Sequence, residues 1–445
     1  MLDRLDFPVG FLWGSATSAY QVEGNSPYNQ WSEFEQLPGV IWHGDRSGLA
    51  CDWWCNAEQD FDRMTQLHMN VHRLGVEWSR VEPVAGEIDH AALDRYRAML
   101  GGLQARGIRP LVALHHFTNP RWFERAGGWT QAESVVRFQK HVRTVVQTLG
   151  DLCDFWLTMN EPIVYVVQSF ARGIWPPRQR NFSAARRVLV NLLSAHAAAY
   201  QAIHSRQPAA QVSYTHALHD FRAERPQNPL DRYVAQLRAY LIDQLWVKAT
   251  VDGKLHPPLG LGQYQPGLAN SFDFVAINYY TSLQVRFTPN PLLLFGRDRL
   301  AANTELSDSG QHGPYSAYQP RGLYRHCLEQ SALGKPIYIT ENGLPDADDD
   351  QRPRWLLGHL YQMHRAIRAG CDIRGYFHWS LVDNFEWAEG WGLRFGLFAL
   401  DPQTQVRTAR PSAHLFAAIA RTNAVTRAMV AQYAPEIVEE YFAEE

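Results

Sequence analysis

Two glutamates stand at the ends of two stretches of similar design. In Phe155-Trp156-Leu157-Thr158-Met159-Asn160-Glu161-Pro162 and in Pro336-Ile337-Tyr338-Ile339-Thr340-Glu341-Asn342-Gly343, an apolar run closes abruptly on a carboxylate. Consecutive apolar residues of β-branched and aromatic type read as strands buried on both faces, as in parallel sheets. Glu161 and Glu341 would then be delivered at the C-terminal ends of two strands. Pro162 fits a helix start, where its missing N–H is not needed, and Gly343 allows a sharp turn. One such glutamate alone would read as a helix cap or the partner of a surface lysine. Two on the same face of a barrel can flank one bond: a carboxylic acid protonates the departing oxygen while the other carboxylate attacks or activates water. This arrangement suits cleavage of a glycosidic bond, although spacing in sequence does not choose between retention and inversion.

A strand–helix alternation runs along the chain and can hold both residues. Residues 11–17, 70–76, 108–116, 154–160, 212–215, 272–278, 337–340 and 373–378 read as eight strands. Between them, residues 58–67, 87–106, 131–149, 184–207 and 355–369 carry apolar side chains at helical intervals, with stops at Gly107 and Gly150. Eight strands separated by helices predict an α/β fold, a single (β/α)8 TIM barrel whose long βα loops form the active-site pocket. No low-complexity linker divides the 445 residues, so 1–445 reads as one catalytic barrel domain, with 425–445 as a last helix or a tail. The longest loops, 173–183 and 281–335, follow strands four and six and would wall a deep pocket. Within the second, Pro291-Leu292-Leu293-Leu294-Phe295-Gly296 reads in three ways: a buried plug, an apolar lip for a greasy leaving group, or a contact for a partner or lipid surface.

Composition narrows the function classes. A net charge of −3 supplies no basic field, so nucleic acid is not an expected partner. Met1-Leu2-Asp3-Arg4-Leu5-Asp6 has no basic segment followed by an apolar core, and no stretch is long enough to span a bilayer, so a cytoplasmic enzyme without a transmembrane segment is expected. Five scattered cysteines, at positions 51, 55, 153, 327 and 371, fit reduced thiols. Cys51 and Cys55 lack the company a zinc site needs, and neither a metal nor another cofactor is called for. Asp348-Asp349-Asp350 reads as a solvated loop, with a calcium site as the alternative. Fifteen tryptophans serve either core packing or stacking on sugar rings. Nothing in the sequence sets an oligomeric state.

Six motifs in order carry a resemblance that runs from Phe11 to about Asn423. They are Phe11-Leu12-Trp13-Gly14 through Tyr20-Gln21-Val22-Glu23-Gly24, Trp78-Ser79-Arg80, Thr158-Met159-Asn160-Glu161-Pro162, Asn278-Tyr279-Tyr280, Thr340-Glu341-Asn342-Gly343, and Trp379-Ser380-Leu381-Val382-Asp383-Asn384-Phe385-Glu386-Trp387. The chain resembles the family 1 glycoside hydrolases, the β-glucosidase family of retaining enzymes. The resemblance implies that Glu341 is the nucleophile, forming a covalent glycosyl-enzyme, and that Glu161 is the general acid and then the base. It sets Arg73 and Tyr280 against Glu341, a cation and a hydroxyl donor that favour a charged carboxylate. Glu161 would hold its proton beside that charge and become the stronger acid once Glu341 is esterified.

By the same resemblance Gln21, His116, Asn160, Glu386 and Trp387 would hydrogen-bond ring hydroxyls, Tyr280 would join the substrate-binding set, and Trp379 would form the stacking floor. Asn160 would meet the 2-hydroxyl. The implied substrate is a small-molecule or oligosaccharide β-glycoside, a terminal β-D-glucoside with β-galactosides and β-fucosides as further candidates. Glu386-Trp387 favours an unphosphorylated sugar, because a 6-phosphate would face the charge of Glu386 and residues 388–395 offer no Lys or Ser cluster. One departure follows His116, where Phe117-Thr118-Asn119-Pro120 stands in place of a Trp-Asp-Leu-Pro run and Phe117 lacks an indole N–H. Trp175, in the loop after strand four, reads as an aglycone platform or as a structural plug.

Overall fold

The computed structural model describes residues 3–301 and 304–442, apart from the side chain of Leu292. Eight parallel strands close into a barrel: β1 (Leu12–Ala16), β2 (Val71–Gly75), β3 (Arg109–Ala113), β4 (Phe155–Asn160), β5 (Gln211–Leu218), β6 (Val275–Tyr279), β7 (Ile337–Asn342) and β8 (Ile373–His378). Each pairs with its successor, and β8 returns to β1. Their unbroken apolar character has a two-sided cause. Leu111, Ala113, Phe155, Leu157 and Tyr338 fill the barrel interior, whereas the intervening Val112, Trp156, Ile337 and Ile339 face the surrounding helices.

The helices read from periodicity are present as Trp53–Gln66, His90–Gln104, Ser134–Leu149, Phe182–Arg206 and Arg352–Arg368. Gly107 ends the second of them with φ 71°, its N–H donating to Gln104 and that of Ile108 to Leu103, a turn that a side chain at Gly107 would strain. Irregular register falls at three strand ends that carry site residues, between Leu157 and Asn160, Ile277 and Asn278, and Ile339 and Asn342. Such bulges re-aim side chains where pairing stops.

Several expectations change. Strand β3 stops at Ala113, so His116 lies beyond the strand. The loop expected over 281–335 has structure of its own: strands Leu283–Phe287 and Gly296–Arg299 form a hairpin, joined by Phe221–Ala223 in a sheet outside the barrel, and Pro320–Ser331 is a helix. The apolar segment 291–296 is the turn of that hairpin. Arg238 Nη2 donates to the carbonyls of Leu293 and Gly296, and Leu293 and Phe295 stay 40% and 42% exposed, so they are not a buried plug. The Leu292 side chain lies outside the described residues.

The acidic loop is only partly solvated. Asp349 is buried in an ion pair with Arg352 and accepts from Ser412, while Asp348 and Asp350 face solvent. The C-terminal stretch does not trail: Ala424–Thr426 pairs antiparallel with Arg4–Asp6, and helices Arg427–Tyr433 and Val438–Phe442 bury Val430 and Phe442 in the main core. Residues 443–445 of that stretch lie outside the described ones. The five cysteines are free thiols, Cys55 alone being exposed. No described helix is long and apolar enough to cross a membrane.

Candidate active site

Glu161 and Glu341 leave the C-terminal ends of β4 and β7 and line one pocket of about 320 Å³. Glu161 sits at φ 45°, ψ 58°, immediately before the short helix Pro162–Val166. That left-handed conformation is uncommon for a residue with a Cβ and is held here by its own N–H, which meets both the carbonyl (3.1 Å) and the hydroxyl (3.2 Å) of Thr215 on β5. Gly343 does not make the expected sharp turn. A Cβ there would stand 1.8 Å from the carbonyl oxygen of Trp379, so the glycine lets the ends of β7 and β8 approach.

A polar network joins the two carboxylates through the barrel floor. Arg73 Nη1 lies 2.5 Å from Glu341 Oε1, and the Tyr280 hydroxyl donates to Oε2 at 2.6 Å. Asn160 Oδ1 accepts from Arg73 Nη1 (3.0 Å), Thr215 Oγ1 (2.6 Å) and Asn278 Nδ2 (3.3 Å), and three donors fix which end of this amide is oxygen. Its Nδ2 therefore faces His116 Nε2, 3.2 Å away, which must accept. The His116 proton is then on Nδ1, a buried donor with no protein partner among the described residues and on a residue that lines the pocket. Asn278 Nδ2 donates to Glu161 Oε1 at 2.7 Å, and Asn278 Oδ1 accepts from Thr340 at 2.8 Å.

The expected residues gather as follows. His116, Asn160, Tyr280, Trp379, Glu386 and Trp387 line the pocket with the two glutamates. Arg73 lies beneath it, its guanidinium 5.7 Å from the Trp379 ring. Gln21 has no exposed surface and meets the site through Glu386: its Nε2 is within 3.0 Å of Glu386 Oε2, the Phe385 carbonyl and Asn384 Oδ1. Phe117 packs on His116, Trp175 and Trp387 and adds no hydrogen bond from its ring. Trp175 is 8% exposed, wedged against Trp31 and Phe117 while still bordering the pocket, so it plugs the wall and supplies part of its face.

Burial raises Glu161 well above the ordinary carboxylate range, and the neighbouring charge of Glu341 raises it further, against the hydrogen bond from Asn278. Glu386 is pushed up to about 8, again by burial and then by Glu341, with the Gln21 amide opposing. Burial thus favours the protonated form of Glu386 over the charge expected of it. A phosphate dianion would still meet a carboxyl with little to stabilise added negative charge. Burial also holds His116 far below its usual value, hence neutral, and keeps the Tyr280 phenol protonated as a donor.

Other pocket residues escaped the sequence reading. Asn278 closes a buried strand inside a motif, but nothing in that motif shows that its amide bridges Glu161 and Thr340. Gln168, Arg172, His219, Gln311, His312 and Tyr315 line the outer pocket from loops and irregular turns, where residue type carries no positional signal.

The model of the family described as glycosyl hydrolase family 1 matches residues 4–425. The chain is 30% identical to a β-galactosidase of Sulfolobus acidocaldarius, over 95% of this chain and 96% of that protein, and 28% identical to β-glucosidase A of Thermotoga maritima, over 94% and 98%. A solved structure, the β-glycosidase from Pyrococcus horikoshii, superposes with a TM-score of 0.90 at 36% identity, over 98% of this chain and 99% of that one. A closed eight-stranded barrel with glutamates at the ends of β4 and β7, matched in sequence and shape along nearly its whole length, belongs to glycosyl hydrolase family 1.

Proposed function

We propose that this protein hydrolyses terminal β-D-glucosides, with β-galactosides also accepted, through a covalent glycosyl-enzyme formed on Glu341. The observation that carries the reading is the opposite setting of two carboxyls around one pocket: Glu341 is paired with Arg73 and Tyr280, whereas Glu161 is buried beside it with no ion pair of its own among the described residues. In the first step Glu341 attacks the anomeric carbon as the bond to the aglycone oxygen breaks, and Glu161 delivers its proton to that oxygen. Esterification removes the charge of Glu341, so the main charge opposing ionisation of Glu161 disappears. In the second step Glu161 takes a proton from water, the water oxygen bonds to the anomeric carbon, and Glu341 leaves with the β-configuration restored.

Asn160 is suited to the 2-hydroxyl and His116 Nδ1–H to a neighbouring one. Glu386 and Trp387 would bind the far edge of the sugar, with Gln21 behind Glu386 and Trp379 as the stacking face. Relatives named β-glucosidase and β-galactosidase support either sugar. The barrel and its loops would act as one catalytic unit over residues 1–445, and free buried thiols suit a reducing compartment such as the cytoplasm. Incubation with an activated 2-deoxy-2-fluoro-β-glucoside should trap the ester, and peptide mass mapping should find the label on Glu341. A label on another residue, or none despite good turnover of ordinary aryl glucosides, would overturn the assignment.

A further inference from the structure

The overall charge of −3 hides a local excess of the opposite sign. Residues 220–238 and 283–299 carry seven arginines and four carboxylates. They form the sheet of Phe221–Ala223, Leu283–Phe287 and Gly296–Arg299 with the helix Pro229–Arg238 behind it. Register sets Gln284 opposite both Arg222 and Arg299, and Arg286 opposite Arg297. Directly paired residues leave a pleated sheet on the same side, and alternate residues share a face, so Arg222, Arg286, Arg297 and Arg299 all project from one face. Val285 points the other way, onto Val234 and Ala235, and Asp298 on that side meets Arg238 at 3.1 Å.

The arginine face is open. The side chains of Arg222, Arg286 and Arg299 are 50%, 46% and 49% exposed, and Arg297 is exposed as well. Few carboxylates compensate them. Glu224 is shared between Arg286 at 3.4 Å and Arg299 at 3.7 Å, Asp220 is shared between Arg222 and Arg325, and Arg297 has no ion-pair partner among the described residues. At the end of the same hairpin, Leu293 and Phe295 stand exposed in a turn tied down by Arg238.

We infer that this hairpin docks the protein on an anionic phospholipid surface. A nucleic acid would use the arginines and leave the leucine in water. A bilayer uses both parts, because anionic headgroups pair with guanidinium groups while Leu293 and Phe295 enter the boundary of the acyl region. Leu283, the first residue of the hairpin, also lines the pocket, so docking sets the pocket mouth beside the lipid surface.

The test is co-sedimentation of the full chain with phosphatidylcholine vesicles, with and without phosphatidylserine. The partition coefficient should rise about tenfold or more with phosphatidylserine at low ionic strength and fall steeply with added salt. The R297E/R299E variant should lose most of that rise, and L293D/F295D should lose the part that survives salt, while both variants hydrolyse nitrophenyl β-glucoside as the parent does. Equal partition on neutral and anionic vesicles, or R297E/R299E binding like the parent, would overturn the inference. So would a dimer by light scattering that L293D/F295D abolishes without vesicle binding, since the tip would then serve a second copy. Salt-sensitive binding to RNA with none to vesicles would overturn it in favour of a polyanion.

Discussion

The floor of the pocket and its mouth are built by different rules. Arg73, Asn160, Thr215, Asn278, Thr340 and Glu341 sit on five barrel strands and bond to one another across them. At the mouth, Gln168 belongs to the π-helical turn Val167–Ala171 and Arg172 follows it, bonded to each other at 3.2 Å; His219 follows β5 with Asp243 3.8 Å from its Nδ1; Gln311 and His312 occupy a tight turn. Groups that stabilise a transition state must hold position within tenths of an ångström, which cross-linked strand ends provide. Groups that choose among leaving groups tolerate looser supports.

The sharpest break of that comparison is at Glu341. Glu341→Gln should fold, keep its contacts to Arg73 and Tyr280 through the amide, and lose at least about 10⁴-fold in kcat whatever the aglycone. Steady-state rates on nitrophenyl and alkyl glucosides test this, and a loss confined to one class would place the nucleophile elsewhere. Glu161→Gln should be more selective. Alkyl glucosides, whose oxygen must be protonated to leave, should lose about 10²- to 10⁴-fold, and nitrophenyl glucosides much less in the first step. Because burial and Glu341 raise Glu161, its acid form persists past the ordinary carboxylate range and is lost as pH rises through the elevated value. The basic limb of kcat/KM for the parent should therefore lie near or above neutrality and be absent from the variant.

The same division decided what could be read in advance. Strand ends are legible because a buried parallel strand is an apolar run, so the carboxylate closing it stands out; Glu161 and Glu341 are visible for that reason, whereas Asn160 beside Glu161 needs the resemblance. Arg73 needed the resemblance, since a buried arginine inside β2 looks like an error in a strand until its carboxylate partner is known. The hairpin at 283–299 reads as a loop in sequence because its strands alternate charged and apolar residues over only a few positions and its tip imitates core. Gly343 suggests a turn for a related reason: sequence reports that a Cβ is missing and not that the Trp379 carbonyl takes its place.

Glu386 sits at the boundary of the two regions and tests it by pH. Its folded-state value of about 8 lies above the ordinary 4.5, so across that interval the folded protein holds a proton that the unfolded chain has released. Stability contributed by this group therefore falls as pH rises through the window. Glu386→Gln removes the dependence: relative to the parent, its Tm should gain about 2 °C above pH 8 and almost nothing near pH 4. A difference independent of pH would mean that the carboxyl is already ionised in the folded state, as in a solvated mouth residue.

The smallest effects are expected at the mouth itself. Arg172→Ala and His219→Ala should leave kcat/KM for nitrophenyl β-glucoside within about threefold of the parent while reordering a series of β-glucosides that differ only in aglycone by up to about tenfold. The two substitutions should still differ. Burial lowers His219, but Asp243 and, more weakly, Glu161 and Asp298 leave it above the ordinary histidine value, and its charged form in turn lowers Glu161. Removing a cation from beside an acid raises that acid further, hence His219→Ala should move the basic limb upward in pH, whereas Arg172→Ala, acting on the aglycone alone, should leave that limb in place. An equal loss on every aglycone would show that the mouth shares in the chemistry, and the boundary between rigid floor and adaptable mouth would then have to be drawn outside His219.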